Sequence, residues 1–171
     1  LVYTLPLGSP THAVGKDAWD QGWAAELEKH WGSYYGQEHL QFEPLFGHQF
    51  SHVWVDFRGI RDAFMAKRAI DYFENTRRAT LSQRAYGIDN PNRWTGYSGD
   101  FWGWTASDGP GGFRGKSVNG IERQFMGYSA RGVSDSRVVD DGTIVPAGAG
   151  GAGPFAPGAT IGALVYMKGE Y

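Results

Sequence analysis

Pro44-Leu45-Phe46-Gly47-His48-Gln49-Phe50-Ser51-His52-Val53-Trp54-Val55-Asp56-Phe57-Arg58-Gly59 is the stretch on which the fold turns. Its spacing predicts one helix, entered through Pro44 and running past Gly59 towards Met65. Phe50, Val53, Trp54 and Phe57 recur at helical intervals and define an apolar face. His48, His52 and Asp56 recur four apart and stack on a second face, with Gln49 and Arg58 nearby. A mostly apolar helix with one narrow ionisable stripe is normally buried. Its stripe must then face partner groups, a metal or a wet cavity. Asp56 has two readings, a site carboxylate or a local partner of Arg58 or His52. The three stripe residues also have the spacing of metal ligands on one helix.

The bulk numbers narrow the function classes. A chain of 171 residues is long enough for one domain with a real core. Its net charge of −2 gives no electrostatic footprint for nucleic acid or an anionic membrane. No apolar run is long enough to span a bilayer, and the first residues do not read as a signal peptide. Cysteine is absent, which excludes disulfides and thiolate chemistry and leaves the compartment open. The unusual feature is 26 Gly beside 7 Trp, 9 Tyr and 10 Phe. Flat aromatic faces and close-approaching glycine loops suit carbohydrate, whose rings present C–H faces and hydroxyl rims. An aromatic core joined by glycine turns accounts for the same composition.

Outward from the central stretch, Leu1 to Leu7 reads as the end of a helix, stopped at Gly8-Ser9-Pro10-Thr11-His12. Asp17 is placed to cap the next helix. Trp19, Trp23, Leu27 and Trp31 follow at four-residue intervals as a core stripe, which Gly32 ends. Ser33-Tyr34-Tyr35-Gly36-Gln37-Glu38 is a loop. Asp71-Tyr72-Phe73-Glu74 has capping-box spacing and starts a helix to about Tyr86, closed by Asn90-Pro91. Ser98 to Trp104 reads as a short aromatic helix or turn. From Ser107 to Pro157 the chain is rich in glycine and proline, a long loop with short extended pieces at Tyr128 to Gly132 and Gly142 to Pro146. Gly148 to Gly153 reads as loose, low-complexity sequence. Ala156 to Met167 reads as a last helix. No repeat and no independent second domain is evident.

These residues resemble the bacterial glucoamylase-like domain family, which includes endo-β-1,2-glucanases and the transglycosylating domain of cyclic β-1,2-glucan synthases. The resemblance is carried in order by Gly8 to His12, Tyr34-Tyr35-Gly36, Pro44 to Arg58, Tyr72 to Asn75 with Arg77 to Thr80, Trp102 to Pro110, Tyr128 to Gly132 and Asp140 to Pro146. It implies an α/α barrel of six helical hairpins with the active site at one end of the inner helices. A twelve-helix barrel needs on the order of 200 residues. The five or six helices legible here correspond to a mainly α, partial barrel, about half of the toroid, with a long Gly-rich loop region. Residues 1–171 then form one glucoamylase-like domain truncated at both ends, lacking an Asn-Glu segment that relatives carry just before Leu1. Gly158 stands where the family often has Glu, and Phe50 where it often has Tyr.

Glycoside cleavage uses two carboxyl groups across the scissile bond, one protonating the leaving oxygen and one activating water or attacking carbon. Asp108, Asp56 and Asp141 are the candidate catalytic carboxylates, with Asp140 as a further candidate. Asp108 sits in Ser107-Asp108-Gly109-Pro110, which also reads as an Asx turn. Tyr35, Trp54, Trp102 and Trp104 are candidates to stack on sugar rings. Glu38, His48, Gln49, His52 and Arg58 are candidates to bind hydroxyls. The function implied by the resemblance is a glycoside hydrolase-type domain acting on β-linked glucan, β-1,2-glucan in particular, through a carboxylate acid/base pair. The alternatives are a truncated, non-catalytic glucan-binding fragment and a transglycosylating domain. No cofactor and no metal is implied. The expected partner is a glucan oligosaccharide or polysaccharide, and the exposed flank of a half barrel implies self-association. The resemblance points to the periplasm or the exterior rather than the cytoplasm.

Overall fold

The computed structural model describes residues 2–170. The first half runs α1 (Thr4–Leu7), α2 (Lys16–Gln21), a 3-10 segment (Trp23–His30), an antiparallel hairpin of β1 (Trp31–Tyr34) and β2 (Gln37–Leu40), α3 (Leu45–Gln49), a 3-10 turn (Phe50–Val53), α4 (Ala63–Lys67) and the long α5 (Tyr72–Asp89). After it come β3 (Ala106–Ser107), β4 (Phe113–Lys116), β5 (Glu122–Phe125), β6 (Ser129–Ala130), β7 (Gly132–Val133), β8 (Val138–Val139), α6 (Pro146–Gly150) and α7 (Pro157–Glu170). The late strands pair antiparallel as β3 with β6, β4 with β5 and β7 with β8. Helical segments dominate and every sheet has two strands.

Helix α5 forms where its capping residues place it. The Asp71 carboxylate accepts from the Glu74 amide at 2.7 Å, satisfying a free donor of the first turn. At the other end Asn90 takes a left-handed conformation, φ 47°, and its amide donates to the Tyr86 carbonyl at 2.8 Å. The buried face of α5 is mostly polar, with Asn75, Thr76, Thr80, Ser82 and Gln83 inside. Buried polar groups need partners, and here they fix the surrounding backbone. Asn75 Oδ1 accepts from the Leu40 amide at 2.9 Å, Thr76 Oγ1 donates to the His48 carbonyl at 3.1 Å, and Gln83 donates to the Glu43 carbonyl. The helix thus holds β2 and α3 by hydrogen bonds as much as by apolar contact.

The single helix expected from Pro44 to Met65 does not form. It is broken into α3, the 3-10 turn and α4, with an irregular stretch between Val55 and Asp62. Two local features explain the break. Asp56 turns its carboxylate back onto the Arg58 amide at 3.1 Å, competing with helical hydrogen bonding, and Gly59 is left-handed at φ 76°. As a result the expected apolar face is not buried, and Phe50, Val53 and Trp54 all point outward, Trp54 at 74% exposure.

The tryptophan stripe is corrected in the same way. Gly22 ends α2 because a Cβ there would lie 2.6 Å from the Ala18 carbonyl and 2.5 Å from Tyr3 Oη. Gly15, not Asp17, is the N-cap residue of α2. Trp31 sits on β1 against Phe64, and Gly32 is a strand residue rather than a helix stop. Only Leu27 of the stripe is fully buried, in a small core with Leu40, Met65 and Ile70. Ser98 to Trp104 is irregular rather than helical, and it delivers Trp102 and Trp104 into the main core with Leu45, Tyr86, Trp94, Tyr97, Val133 and Met167. The Gly148 to Gly153 run is packed, not loose. A Cβ on Gly148 would lie 2.9 Å from the Trp104 amide nitrogen, and Ala149 and Ala152 are core residues. The last helix forms as expected.

Candidate functional site

A cavity of about 670 Å³ opens between α2, the Trp23–His30 segment, α3 and the first turns of α5. Trp19, Trp23, Phe42, Phe57 and Tyr72 supply aromatic wall, while Gln41, His48, His52, Asn75 and Thr76 supply polar groups. Such a mixture of flat apolar faces and a few convergent hydrogen-bonding groups is the usual make-up of a small-molecule site. Trp19 is held in place, its Nε1 donating to Asp62 at 3.0 Å, and Tyr72 Oη donates to the same carboxylate at 2.8 Å. The one carboxylate among the described lining residues is Glu26, which is exposed and paired with Lys29.

His48 and His52 enter this cavity as neutral groups. His48 Nε2 donates to the Phe42 carbonyl at 3.2 Å, and burial, reinforced by His39, pushes its pKa down to about 4. His52 Nε2 lies 3.0 Å from Thr76 Oγ1. The Thr76 proton is directed at the carbonyls of His48 and Tyr72, so the imidazole N–H is the donor to Thr76. Burial lowers His52 to about 4 as well, against the opposing pull of Asp56 and Asp71. Neutral imidazoles both donate and accept, which fits hydroxyl recognition better than charge pairing.

A second group of residues gathers around the far end of α5. Asp140 accepts from Tyr97 Oη at 2.6 Å, Tyr86 Oη at 2.7 Å, the Gly142 amide at 3.1 Å and Asn92 Nδ2 at 3.2 Å. Beside it, Asp141 and Arg131 form a fully buried bidentate pair, both contacts 2.7 Å. Burial pushes the Asp141 carboxyl up, but hydrogen bonds from Arg131, Thr143 and the Met126 amide outweigh it and hold the pKa below the carboxylate range. Asp108 lies on the loop after β3, exposed, with no hydrogen bond or ion pair to its carboxylate among the described residues. Tyr35, at the tip of the β1–β2 hairpin with φ 49°, donates to Asp89 at 2.6 Å. Thr76 and Asp89 are thirteen residues apart on one helix, so the histidine cavity and the Tyr35 tip are separated by about 20 Å along α5.

The expected site residues therefore divide. His48 and His52 come together in the cavity. Asp56 is on an exposed turn, paired with Arg58 at 3.0 Å, which is the local reading of that residue. Arg58 also lies over the Phe73 ring at 4.4 Å. Among the described residues no three His, Asp or Glu side chains meet as a metal-holding group, and His48, His52 and Asp56 each turn to other partners. Gln49 is buried and donates to the Gly148 carbonyl at 3.1 Å, tying α3 to α6. Trp102 and Trp104 are 0% exposed and offer no ring face to a ligand, a correction to their assignment as stacking residues. Asp141 is likewise sealed by Arg131, a correction to its assignment as a catalytic carboxylate. Trp54 and Glu38 are exposed, neither on the cavity wall. Trp19 and Trp23, expected as core, line the cavity instead, and the Gly22 between them was the signal that the stripe is interrupted.

The Glycoamylase family model, described as "Putative glucoamylase", matches residues 1–171. An exo β-1,2-glucooligosaccharide sophorohydrolase (non-reducing end) of Parabacteroides distasonis is 27% identical over 202 aligned positions, covering 100% of this chain and 25% of the relative. A crystal structure of a glucoamylase-like protein from Bacteroides uniformis superimposes with a TM-score of 0.76 at 32% identity, over 99% of this chain and 37% of that one. An endo-β-1,2-glucanase from Chitinophaga pinensis, solved with sophorotriose and glucose, gives 0.72 at 28% identity, over 96% and 36%. The chain thus spans a quarter of the curated relative's length and under two fifths of these solved structures.

Proposed function

The chain belongs to the Glycoamylase family, and from that premise we propose that it forms part of a glycoside hydrolase-type domain acting on β-linked glucan, β-1,2-glucan in particular. Its helices belong, on this reading, to an α/α barrel. The observation that carries the proposal is the cavity whose walls combine Trp19, Trp23 and Tyr72 with neutral His48 and His52. The aromatic faces stack on pyranose rings, and the imidazoles, Gln41 and Asn75 bind hydroxyls. Relatives named for action on β-1,2-linked substrates support the linkage. Asp108, which lies off the wall of this cavity, is the carboxyl group we assign to acid/base work along the same glucan chain, because Asp56 and Asp141 are occupied by arginines and Asp140 by Tyr86 and Tyr97.

A second reading has its own support. The cavity carries one carboxylate, Glu26, and that is paired with Lys29. A glucan-binding part without a complete acid/base pair fits this arrangement. Proton NMR of the purified chain with linear β-1,2-glucan, and α-1,4-glucan as control, separates the two. New anomeric signals with the β-linked chain alone support the hydrolase, and larger products without net cleavage support transglycosylation. Sugar line-broadening without products supports the binding part. No change with either glucan overturns the assignment of the cavity.

A further inference from the structure

We propose that Arg131 is a positioning residue for Asp108, fixing the backbone on both sides of that carboxylate. The inference rests on the assignment of Asp108 to acid/base work. Arg131 is 0% exposed and uses all three guanidinium nitrogens. On the near side of Asp108, Arg131 Nη1 donates to the Ser107 carbonyl at 2.8 Å and to Ser107 Oγ at 3.2 Å. On the far side Gly109 lies flat against the same guanidinium. A Cβ there would stand 2.1 Å from Arg131 Nη2 and 2.4 Å from the Met126 carbonyl.

Arg131 Nη2 also donates to the carbonyls of Met126 and Gly127, at 3.1 and 3.0 Å, while Asp141 neutralises and orients the group from behind. The Gly111 amide donates to the Met126 carbonyl at 3.3 Å, closing the loop onto the same anchor. Asp108 is thus a solvent-facing side chain on a loop tethered at residues 107 and 111, with Gly109 packed against the guanidinium between them. A carboxylate that must meet a glycosidic oxygen within a few tenths of an ångström needs that support, since a small misplacement costs orders of magnitude in rate. Lysine cannot replace the fork, because one ammonium cannot reach Ser107, Met126, Gly127 and Asp141 together.

The test compares Asp108→Asn, Arg131→Lys and Gly109→Ala in the full chain, on linear β-1,2-gluco-oligosaccharide. Circular dichroism verifies the fold, and hydrogen exchange reads the amides of residues 107, 108, 109 and 111. Asp108→Asn abolishing turnover with unchanged KM supports the underlying assignment, and full activity in it overturns that assignment alone. Given an inactive Asp108→Asn, Arg131→Lys and Gly109→Ala should each lower kcat at least tenfold with KM changed less than twofold. Each should also speed exchange at residues 109 and 111 while α5 stays protected. Gly109→Ala retains both Arg131 and Asp141 and presses its Cβ only on the Nη2 side of the guanidinium, so it carries the test if Arg131→Lys fails to fold. Wild-type kcat in either folded variant overturns the proposal. If the chain turns over no glucan, unchanged exchange at 109 and 111 in Gly109→Ala overturns it.

Discussion

The His52 imidazole donates to Thr76 Oγ1 across 3.0 Å, and Thr76 in turn donates to the carbonyl of His48 at 3.1 Å, so one hydroxyl couples His48 and His52 to α5. Both imidazoles have pKa values lowered to about 4, chiefly by burial. Between about pH 6.5, where an unfolded histidine titrates, and pH 4, the unfolded chain binds more protons than the folded one. Stability is therefore full above pH 6.5 and falls as pH drops through this window. A tenfold difference in proton affinity between the two states is worth about 1.4 kcal/mol, so His48 alone makes folding weaker by roughly 2–3 kcal/mol at pH 4. Urea midpoints measured from pH 7.5 to 4 should fall steeply in the wild type and flatten in His48→Gln. Identical slopes in the two proteins reject the assignment.

Trp102 and Trp23 should separate packing from binding. Trp102 is wholly buried in the main core, and its truncation to alanine should cost about 3–5 kcal/mol, a fall in thermal midpoint with loss of helix content. Trp23 is half exposed on the cavity wall, and Trp23→Ala should leave the midpoint nearly unchanged while weakening glucan affinity roughly two- to tenfold. Calorimetric titration and melting of both variants decide it, and the reverse pattern refutes the cavity.

Breaking the Arg131–Asp141 pair from one side leaves a buried guanidinium uncompensated. Asp141→Asn should destabilise the chain by about 3–5 kcal/mol, because the lost charge also anchors the Met126 and Thr143 amides. The depressed Asp141 pKa adds a second pH effect. Its stabilisation is complete above the ordinary carboxylate pKa and is lost as pH falls through the lowered one, below the histidine window. Chemical denaturation of Asp141→Asn within about 1 kcal/mol of the wild type would contradict the geometry.

The parts of this fold visible in the sequence are those written in local chemistry. Asp71 to Glu74 marked the start of α5, Asn90-Pro91 its end, Gly8 the end of α1, and the last helix followed from its apolar pattern. The failures lie where tertiary partners overrule periodicity. His48, His52 and Asp56 are evenly spaced, yet the Asp56 turn onto Arg58 breaks the helix before the third position joins the other two. The Gly-rich half looked unstructured because its organiser is one buried arginine that gathers Ser107, Met126, Gly127 and Asp141, a pattern no periodicity records. In the site, the pairing of His48 with His52 was legible from their spacing. The roles of Trp19, Trp102 and Asp141 depended on burial, which composition does not give.

The exposed apolar groups lead to the last prediction. Phe50, Val53 and Trp54 stand out from the 3-10 turn, and Ile161, Leu164, Val165 and Tyr166 stand out from α7. Phe155, just before α7, packs on His52 with ring centroids 4.7 Å apart, so the turn lies beside the entry to α7. Scattered apolar residues on a surface are ordinary, but clustered ones are covered by something. For the chain in isolation we take the covering surface to be a second copy. Sedimentation velocity should show concentration-dependent association at neutral pH. Because the driving force is apolar, added salt should not dissolve the association, whereas it would weaken a charge-held one. Trp54→Ser combined with Val165→Ser should shift the chain to monomer with its far-ultraviolet spectrum intact. A wild-type chain that sediments as a monomer throughout the micromolar range would show that this apolar surface is tolerated in water.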